Sequence, residues 1–466
     1  MSRANIIFLG VISLMAAGCA IGPKYVRPAA LIPKAYKESG DWKKAQPQDA
    51  MLRGEWWKTF NDPRLNDLED QVNISNQNIV VAEAQYAQAY ALVQASRSSF
   101  FPTLGVGASY ARSRTLSGSS SAKTSSNNLL NADVNWELDL WGKIRRTMEA
   151  NRATAQASQA DLENARLSAQ SQLAEDYFQL CSLDTQKKLL DDTTVIFQKF
   201  LTLTKNRHAS GVASETDVIQ AQTQLEGTQA QGIDIGVQRS QLEHAIALLA
   251  GKPASNFSIP PLTLSSTVPI VPIGLPSEIL ERRPDIAAAE RTVAAANAQI
   301  GVAESAYFPT LTLSASGSYG NSDLSRIFSS PNPLWSVGPV LAETIFDAGL
   351  RQAQTTQAKA VYDADVATYR QTVLTAFQQV EDNLAALRIL EQEAQVQDSA
   401  VKDSLKAVVL ETDQYKAGTV SALDVINTQA TALSDEKTAV TILGERMNAC
   451  VLLIQYLGGG WTAPKQ

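Results

Sequence analysis

Two periodicities divide the chain. From Leu130 to Leu140 apolar and polar residues alternate strictly, with Leu130, Ala132, Val134, Trp136, Leu138 and Leu140 on one side and Asn131, Asp133, Asn135, Glu137 and Asp139 on the other. Thr103–Tyr110 alternates in the same way, with Leu104, Val106, Ala108 and Tyr110 on one side. Later, Leu311, Leu313, Ala315 and Tyr319 oppose Thr312, Ser314, Ser316 and Ser318, and Trp335–Phe346, interrupted by Pro339, reads as a weaker fourth strand. Segments of ~10 residues with one apolar and one polar side suit a transmembrane barrel strand, lipid on one face and lumen on the other. A half-buried sheet in a soluble domain shows the same alternation and is the competing reading. Elsewhere the pattern is helical. No Pro falls between Pro102 and Pro253 or between Pro339 and Pro464, no Gly from Lys143 to Asn206, and neither from Leu350 to Ala417. These Ala-, Gln-, Leu- and Glu-rich runs predict helices of roughly 100 Å, against an average of ~11 residues in globular proteins.

The chain is duplicated. Ser210–Gln222 and Ala417–Gln429 share Gly211/Gly418, Ser214/Ser421, Asp217/Asp424, Val218/Val425, Ile219/Ile426 and Gln222/Gln429, each pair 207 positions apart. Phe101–Leu104 and Phe308–Leu311 (both Phe-Pro-Thr-Leu) keep the same offset, as do Gly142/Gly349 and Gly251/Gly458. A register held without a gap over that distance is a repeat, so each half carries the same elements in the same order. The expected division is a signal peptide (1–18), an N-terminal segment (19–60), repeat 1 (61–251), a linker (252–273), repeat 2 (274–458) and a tail (459–466). Each repeat should contain a helix, two strands and a long helical hairpin. Gly211 and Gly418 break the long helices, and Ser214 and Ser421 are placed to cap the next ones. Four strands cannot close a barrel, since the smallest use eight, and open edges are not tolerated in lipid. Oligomerisation must close the sheet, and three copies would supply twelve strands.

The amino terminus changes the compartment. Met1–Gly18 has one charge, Arg3, and an apolar run from Ile6 to Ala17 too short to span a bilayer, which reads as an export signal. It ends Leu14-Met15-Ala16-Ala17-Gly18-Cys19, similar to a lipoprotein cleavage box that would make Cys19 the acylated first residue; Ala16 stands where such boxes usually carry Leu. Ordinary cleavage within the Ala16–Ala20 cluster is the alternative. Ala20 follows Cys19 in place of the Asp that typically retains bacterial lipoproteins at the inner membrane. Net charge is −7, with 40 Lys+Arg against 47 Asp+Glu and no basic block, which argues against nucleic acid. Two His and three Cys leave almost no room for a metal centre of those ligands. No phosphate-binding Gly loop is present, so energy must come from a partner.

Several stretches together resemble an outer membrane factor of the TolC/OprM type, in the lipoprotein branch called the NodT family. They are Gly18–Pro28 (GCAIGPKYVRP), Trp56-Trp57, Asp62-Pro63 with Leu65, Leu280–Ile286 (LERRPDI), and the duplicated Phe-Pro-Thr-Leu and Gly-x-x-Ser-x-x-Asp-Val-Ile stretches. The resemblance covers the mature chain. It implies a mainly α protein with a β-barrel section: a duplicated TolC-like fold whose trimer forms a 12-stranded outer-membrane β-barrel and a long periplasmic α-helical barrel with a mixed equatorial region. It also implies the exit duct of a tripartite efflux system, a passive gated conduit and not an enzyme. Its partners would be a periplasmic adaptor (membrane fusion protein), an inner-membrane transporter of the resistance-nodulation-division type, and outer-membrane lipid. No cofactor is expected beyond a covalent lipid, such as palmitate, on Cys19. The hairpin tips at Gly211, Ser214, Gly418 and Ser421 should dock the adaptor. The gate should be built around Asp424 with Leu423 and Asn427, and Asp217 in support. Asn427 stands where the family has a second gate acid and Val420 where it has an Arg link, so closure by Leu423 gains weight. The competing explanation is that Asp217 and Asp424 simply favour a helix start. A lipid-anchored periplasmic coiled coil is the alternative function, but would leave the four strands idle. A hydrolase would have to use His208, expected in solvent at the tip, or His244, expected to pack in a helix. Cys181 and Cys450 read as buried thiols, and Glu281–Asp285 as a charged turn opening a helix.

Overall fold

The computed structural model describes residues 20–39, 54–117, 121–264, 267–271, 281–322 and 334–460. The signal peptide, Cys19 and the tail beyond 460 lie outside the described residues, as does most of the linker's junction with repeat 2 at 272–280. Element order is α1 (Pro63–Ser75), α2 (Gln77–Ser98), β1 (Thr103–Ser117), β2 (Ser121–Leu138), α3 (Lys143–Ala209), α4 (Glu215–Leu249), α5 (Pro284–Ser305), β3 (Thr310–Asn321), β4 (Leu334–Ala342), α6 (Leu350–Ala417) and α7 (Ala422–Tyr456). The chain forms two compact units, one drawn from Met1–Ala29, Gln85–Gln159 and Ala288–Arg370, the other from Ala30–Ala84, Ala160–Ala287 and Gln371–Gln466.

The first unit holds an antiparallel sheet in the order β1-β2-β3-β4. Its register aligns the apolar positions into one face: Leu104 opposite Val134 and Val134 opposite Ala315, then Trp136–Leu313 and Leu311–Leu341. The other face is made of small and polar residues, with Gly105–Asp133–Ser316–Ser336 in one row. Gly105 leaves room there for the Asp133 carboxylate lying across the strand, 3.0 Å from where a Cβ would sit. The apolar face is open, with Leu104 72% and Trp335 77% exposed. Aromatics border it: Tyr110, Tyr319 and Trp335 at one end, Trp136 at the other, where its Nε1 donates to the Phe100 carbonyl at 3.0 Å. That is the lipid-facing band and aromatic girdle of a membrane strand array. The strands run longer than their clean alternation suggested, to Ser117 in β1 and from Ser121 in β2, while β4 stops at Ala342, short of Phe346.

The N-terminal residues of this unit are strapped to it. Ile21 N donates to Trp141 O at 3.0 Å, the Arg146 guanidinium donates to the Ile21 carbonyl at 3.0 Å, and Tyr25 donates to the Glu290 carboxylate at 2.5 Å. Gly22 lies so close to Gly301 that a Cβ would fall 2.4 Å from its Cα.

The second unit buries Trp56 and Trp57 almost completely, packed edge to face at 5.9 Å, beside α1. Asp62 caps α1 through the Arg64 and Leu65 amides and accepts the Tyr177 hydroxyl at 2.6 Å. The single helix expected ahead of the strands is two helices. Asn76 interrupts it, its Oδ1 taking the Asn78 and Ile79 amides while its Nδ2 donates to Leu249 O. Each hairpin returns to the same place in its own repeat: a Cβ at Gly251 would meet Ser75 O at 2.3 Å, and one at Gly458 would meet Arg282 O at 2.2 Å. Ser75 and Arg282 are themselves 207 positions apart, so the duplication extends to tertiary packing.

Cys181 and Cys450 are buried free thiols, and burial pushes both up to about 12. One single-residue expectation is corrected, and one stretch that opens a helix as expected does more besides. His244 is exposed on α4 and not packed, because it sits between the inward-facing positions of that helix. The Glu281–Asp285 stretch is more than a charged turn, since Arg283 is buried and ties Asp285 (2.6 Å) to Gln379 (2.9 Å) and the Tyr456 carbonyl (3.4 Å).

Candidate functional site at the hairpin tips

Both hairpins of the second unit turn by the same local chemistry. In the first, Val212 N bonds to Arg207 O at 2.8 Å and Gly211 N to His208 O at 2.9 Å; in the second, Thr419 N bonds to Gln414 O and Gly418 N to Tyr415 O, both at 3.0 Å. These paired bonds satisfy carbonyls left free at the helix end and require a left-handed residue, which is Gly211 at φ 75° and Gly418 at φ 82°. The next helix opens with a capping box in each case. Ser214 Oγ accepts from Asp217 N at 3.1 Å while Ser214 N donates to the Asp217 carboxylate at 2.9 Å. Ser421 Oγ accepts from Asp424 N at 3.4 Å, and Ser421 N donates back at 2.9 Å. Asp217 and Asp424 are therefore both helix-start residues.

The tips differ beyond that. Asp424 also accepts the Ser421 hydroxyl at 2.7 Å, and these bonds, the side-chain one foremost, hold its carboxyl below the usual carboxylate range. One face of the first turn of α7, with Ala422, Val425 and Ile426, is buried in a cluster with Phe197, Phe200, Leu201, Ala221, Leu225 and Tyr415. The other face leaves Leu423, Asp424 and Asn427 exposed side by side. Val420 packs against the cluster, and so does Val218 of α4. Thus the structure brings Asp424, Leu423 and Asn427 together on one surface and leaves Asp217 with its own cap.

Sequence reasoning missed the residues that join the two hairpins. Arg207 Nη1 donates to the Tyr415 carbonyl at 2.6 Å, and its guanidinium carbon lies 4.4 Å from the centre of the Tyr415 ring. Tyr415 is 3% exposed, tilted against Phe200 at 5.3 Å, with its hydroxyl 3.5 Å from Thr204 Oγ1. A cation at the carboxyl end of α6 also complements that helix dipole. The available signal was a basic residue in the last turn of α3. His208, at the turn, is exposed as expected, its Nδ1 3.0 Å from Ala213 O. Among the described residues no group of His, Cys, Asp and Glu is arranged to hold a metal, and no helix is long and apolar enough to cross a membrane.

Comparison with known proteins places this geometry. The profile of the family described as outer membrane efflux protein matches twice, over residues 68–252 and 275–459, the same 207-residue offset. The chain is 31% identical over 464 residues to the solvent efflux pump outer membrane protein SrpC of Pseudomonas putida, covering 96% of this chain and 97% of that one. It is 31% identical over 428 residues to the pyoverdine export outer membrane protein OpmQ of Pseudomonas aeruginosa, covering 90% of each. The solved outer-membrane channel OprN superposes with a TM-score of 0.89 at 30% identity, over 95% of this chain and all of that one. The duplicated TolC-like fold expected from the sequence is the fold observed.

Proposed function

The chain belongs to the outer membrane efflux protein family, and on that premise we propose how its parts work. It is an outer-membrane exit channel of an efflux system. In our reading three copies close the sheet into twelve strands, and each chain is tethered by an acyl group on Cys19. The tips around Gly211, Ser214, Gly418 and Ser421 meet a periplasmic adaptor that couples the duct to an inner-membrane transporter of the resistance-nodulation-division type. Conduction is passive, without catalysis, and gated where Asp424, Leu423 and Asn427 of each copy converge, with Asp217 in support.

The observation that carries this reading is the open four-stranded sheet. β1 and β4 are its outer strands and its apolar face is exposed, an arrangement that lipid does not tolerate until the edges are paired. Tethering is supported by the strap: Ala20, next to Cys19, lies against Gly142, whose added Cβ would fall 2.8 Å from the Ala20 Cα, just past the end of β2. The exposed patch of Leu423, Asp424 and Asn427 supports the gate, because three symmetric carboxylates with an apolar neighbour would attract cations and narrow the pore. The relatives are named for different cargo, solvent for SrpC and pyoverdine for OpmQ. The test is a cysteine at Ala209 or Ala417 in the intact complex. Crosslinks to the adaptor from both, on a trimer whose amino terminus is acylated Cys19 by mass spectrometry, are expected. Crosslinks from residues outside the tips alone would refute tip docking.

A further inference from the structure

The apolar face of β1 continues past its aromatic border into charge. Leu104, Val106, Ala108 and Tyr110 occupy alternate positions, and the same row next places Arg112 and Arg114. Their partners across the sheet are Ser126 and Thr124 of β2, both neutral. Both arginines are exposed, and neither makes an ion pair among the described residues. At ~3.4 Å per residue they stand roughly 7 and 14 Å beyond Tyr110 along the strand. A strand tilt of ~40° reduces this to roughly 5 and 10 Å of depth. The polar layer of a bilayer is roughly 5–8 Å thick on each side, so Arg112 lies within it and the Arg114 backbone just beyond it, within reach of its long side chain.

We propose that Arg112 and Arg114 form a lipid-facing site for the phosphate of an outer-leaflet lipid headgroup. Several features of the row point to an anion presented by lipid. An unpaired cation serves no packing role on a face of a strand that is otherwise apolar. The planar guanidinium matches phosphate oxygens in a bidentate fashion. The lipid's acyl chains would lie along Leu104–Tyr110 of the same row, and Tyr110, 64% exposed, marks the level at which chain gives way to headgroup. The polar face of this sheet carries Asp133, held by Asn131 at 3.3 Å, and Glu137, paired with Lys143 at 3.0 Å.

The test uses the full-length protein in mild detergent, with bound lipid counted by native mass spectrometry. Three probes are compared: a bisphosphorylated glycolipid (lipid A), the same lipid with its phosphates removed enzymatically, and inorganic phosphate. The wild-type protein should prefer the phosphorylated lipid roughly thirty-fold, as two basic residues at an anionic surface would give. Replacing both residues, Arg112→Ser with Arg114→Ser, should abolish the preference while oligomer mass and channel conductance stay unchanged. The double lysine variant, with its cations retained, should keep most of it. Loss of preference in both double variants, with intact oligomers, would still assign the site and show that it needs the planar fork. A preference that survives in the serine variant, or is missing from the wild type, would overturn the proposal. Equal competition by inorganic phosphate would overturn the lipid assignment.

Discussion

The two hairpin tips are built from the same fragment and end in different environments. Each has a left-handed Gly, a Ser cap and an Asp three residues on, and in each the Asp accepts the cap's backbone amide at 2.9 Å. At the first tip Val218, just past the box, is only half-buried and Ile219 is 58% exposed. At the second, the positions corresponding to Asp217-Val218-Ile219 are Asp424-Val425-Ile426, and here both apolar residues are buried, Val425 completely. Local sequence thus dictates the turn, and the copies then differ twice: packing buries Val425 and Ile426, and Leu423 stands where the first tip has Thr216, so Asp424 has an exposed leucine beside it. A gate needs both the acid and the apolar neighbour, so the duplicated motif yields one candidate gate and one structural cap.

The comparison is broken most severely at Tyr415. Tyr415→Ala removes a buried ring shared by both hairpins, and should cost ~3–5 kcal/mol, as large aromatic truncations do. Hydrogen exchange should then quicken at both tips together, from Phe197–Leu201 through Val425–Ile426. Loss of protection at only one tip would show that the shared cluster does not couple them. The glycines come next. Gly211→Ala and Gly418→Ala each force an alanine into the left-handed region, at a cost of ~1–2 kcal/mol. The two should match in thermal unfolding, because neither has a neighbour within 3.4 Å of an added Cβ. Ser214→Ala and Ser421→Ala should each cost ~1 kcal/mol through the lost cap. Ser421→Ala removes the bond that does most to depress the Asp424 carboxyl, so its titration should move upward toward the ordinary range. In the wild type the folded value is depressed, so the charge's contribution is complete above the ordinary carboxylate value and is lost only as pH falls through the folded one. Asp424-dependent behaviour should therefore be flat from pH 8 down to pH 5, which conductance against pH would check.

Much of this was legible from periodicity. Strict alternation in Leu130–Leu138 located a real strand, and the absence of Gly and Pro from Leu350 to Ala417 gave a helix that ends where the run does. Alternation fails as a guide past Tyr110, where Arg112 and Arg114 leave the apolar pattern but the backbone stays paired to Ser117. Ladder hydrogen bonds continue there without any side-chain preference. Pro339 was tolerated because β4 is an outer strand, with one side free of ladder partners in the chain. The Arg207–Tyr415 link escaped because it breaks the repeat. The position 207 residues after Arg207 is Gln414, and the one 207 before Tyr415 is His208. Matching the halves finds what they share, and the contact that distinguishes them lies where they do not match. The break at Asn76 escaped for another reason: its cap to Asn78 and Ile79 is local, but the Leu249 carbonyl that anchors its Nδ2 is distant in sequence and only the fold brings it close.

The most direct test of the account is single-channel conductance in planar bilayers of the intact channel, comparing Asp424→Ala with Asp217→Ala under divalent cation titration. Asp424→Ala should relieve cation block or raise closed-state conductance, while Asp217→Ala, a cap with Thr216 where Asp424 has Leu423, should leave both close to wild type. Equal responses from the two variants, or an unchanged Asp424 variant, would contradict the assignment and leave Asp424 a helix-start residue like its counterpart.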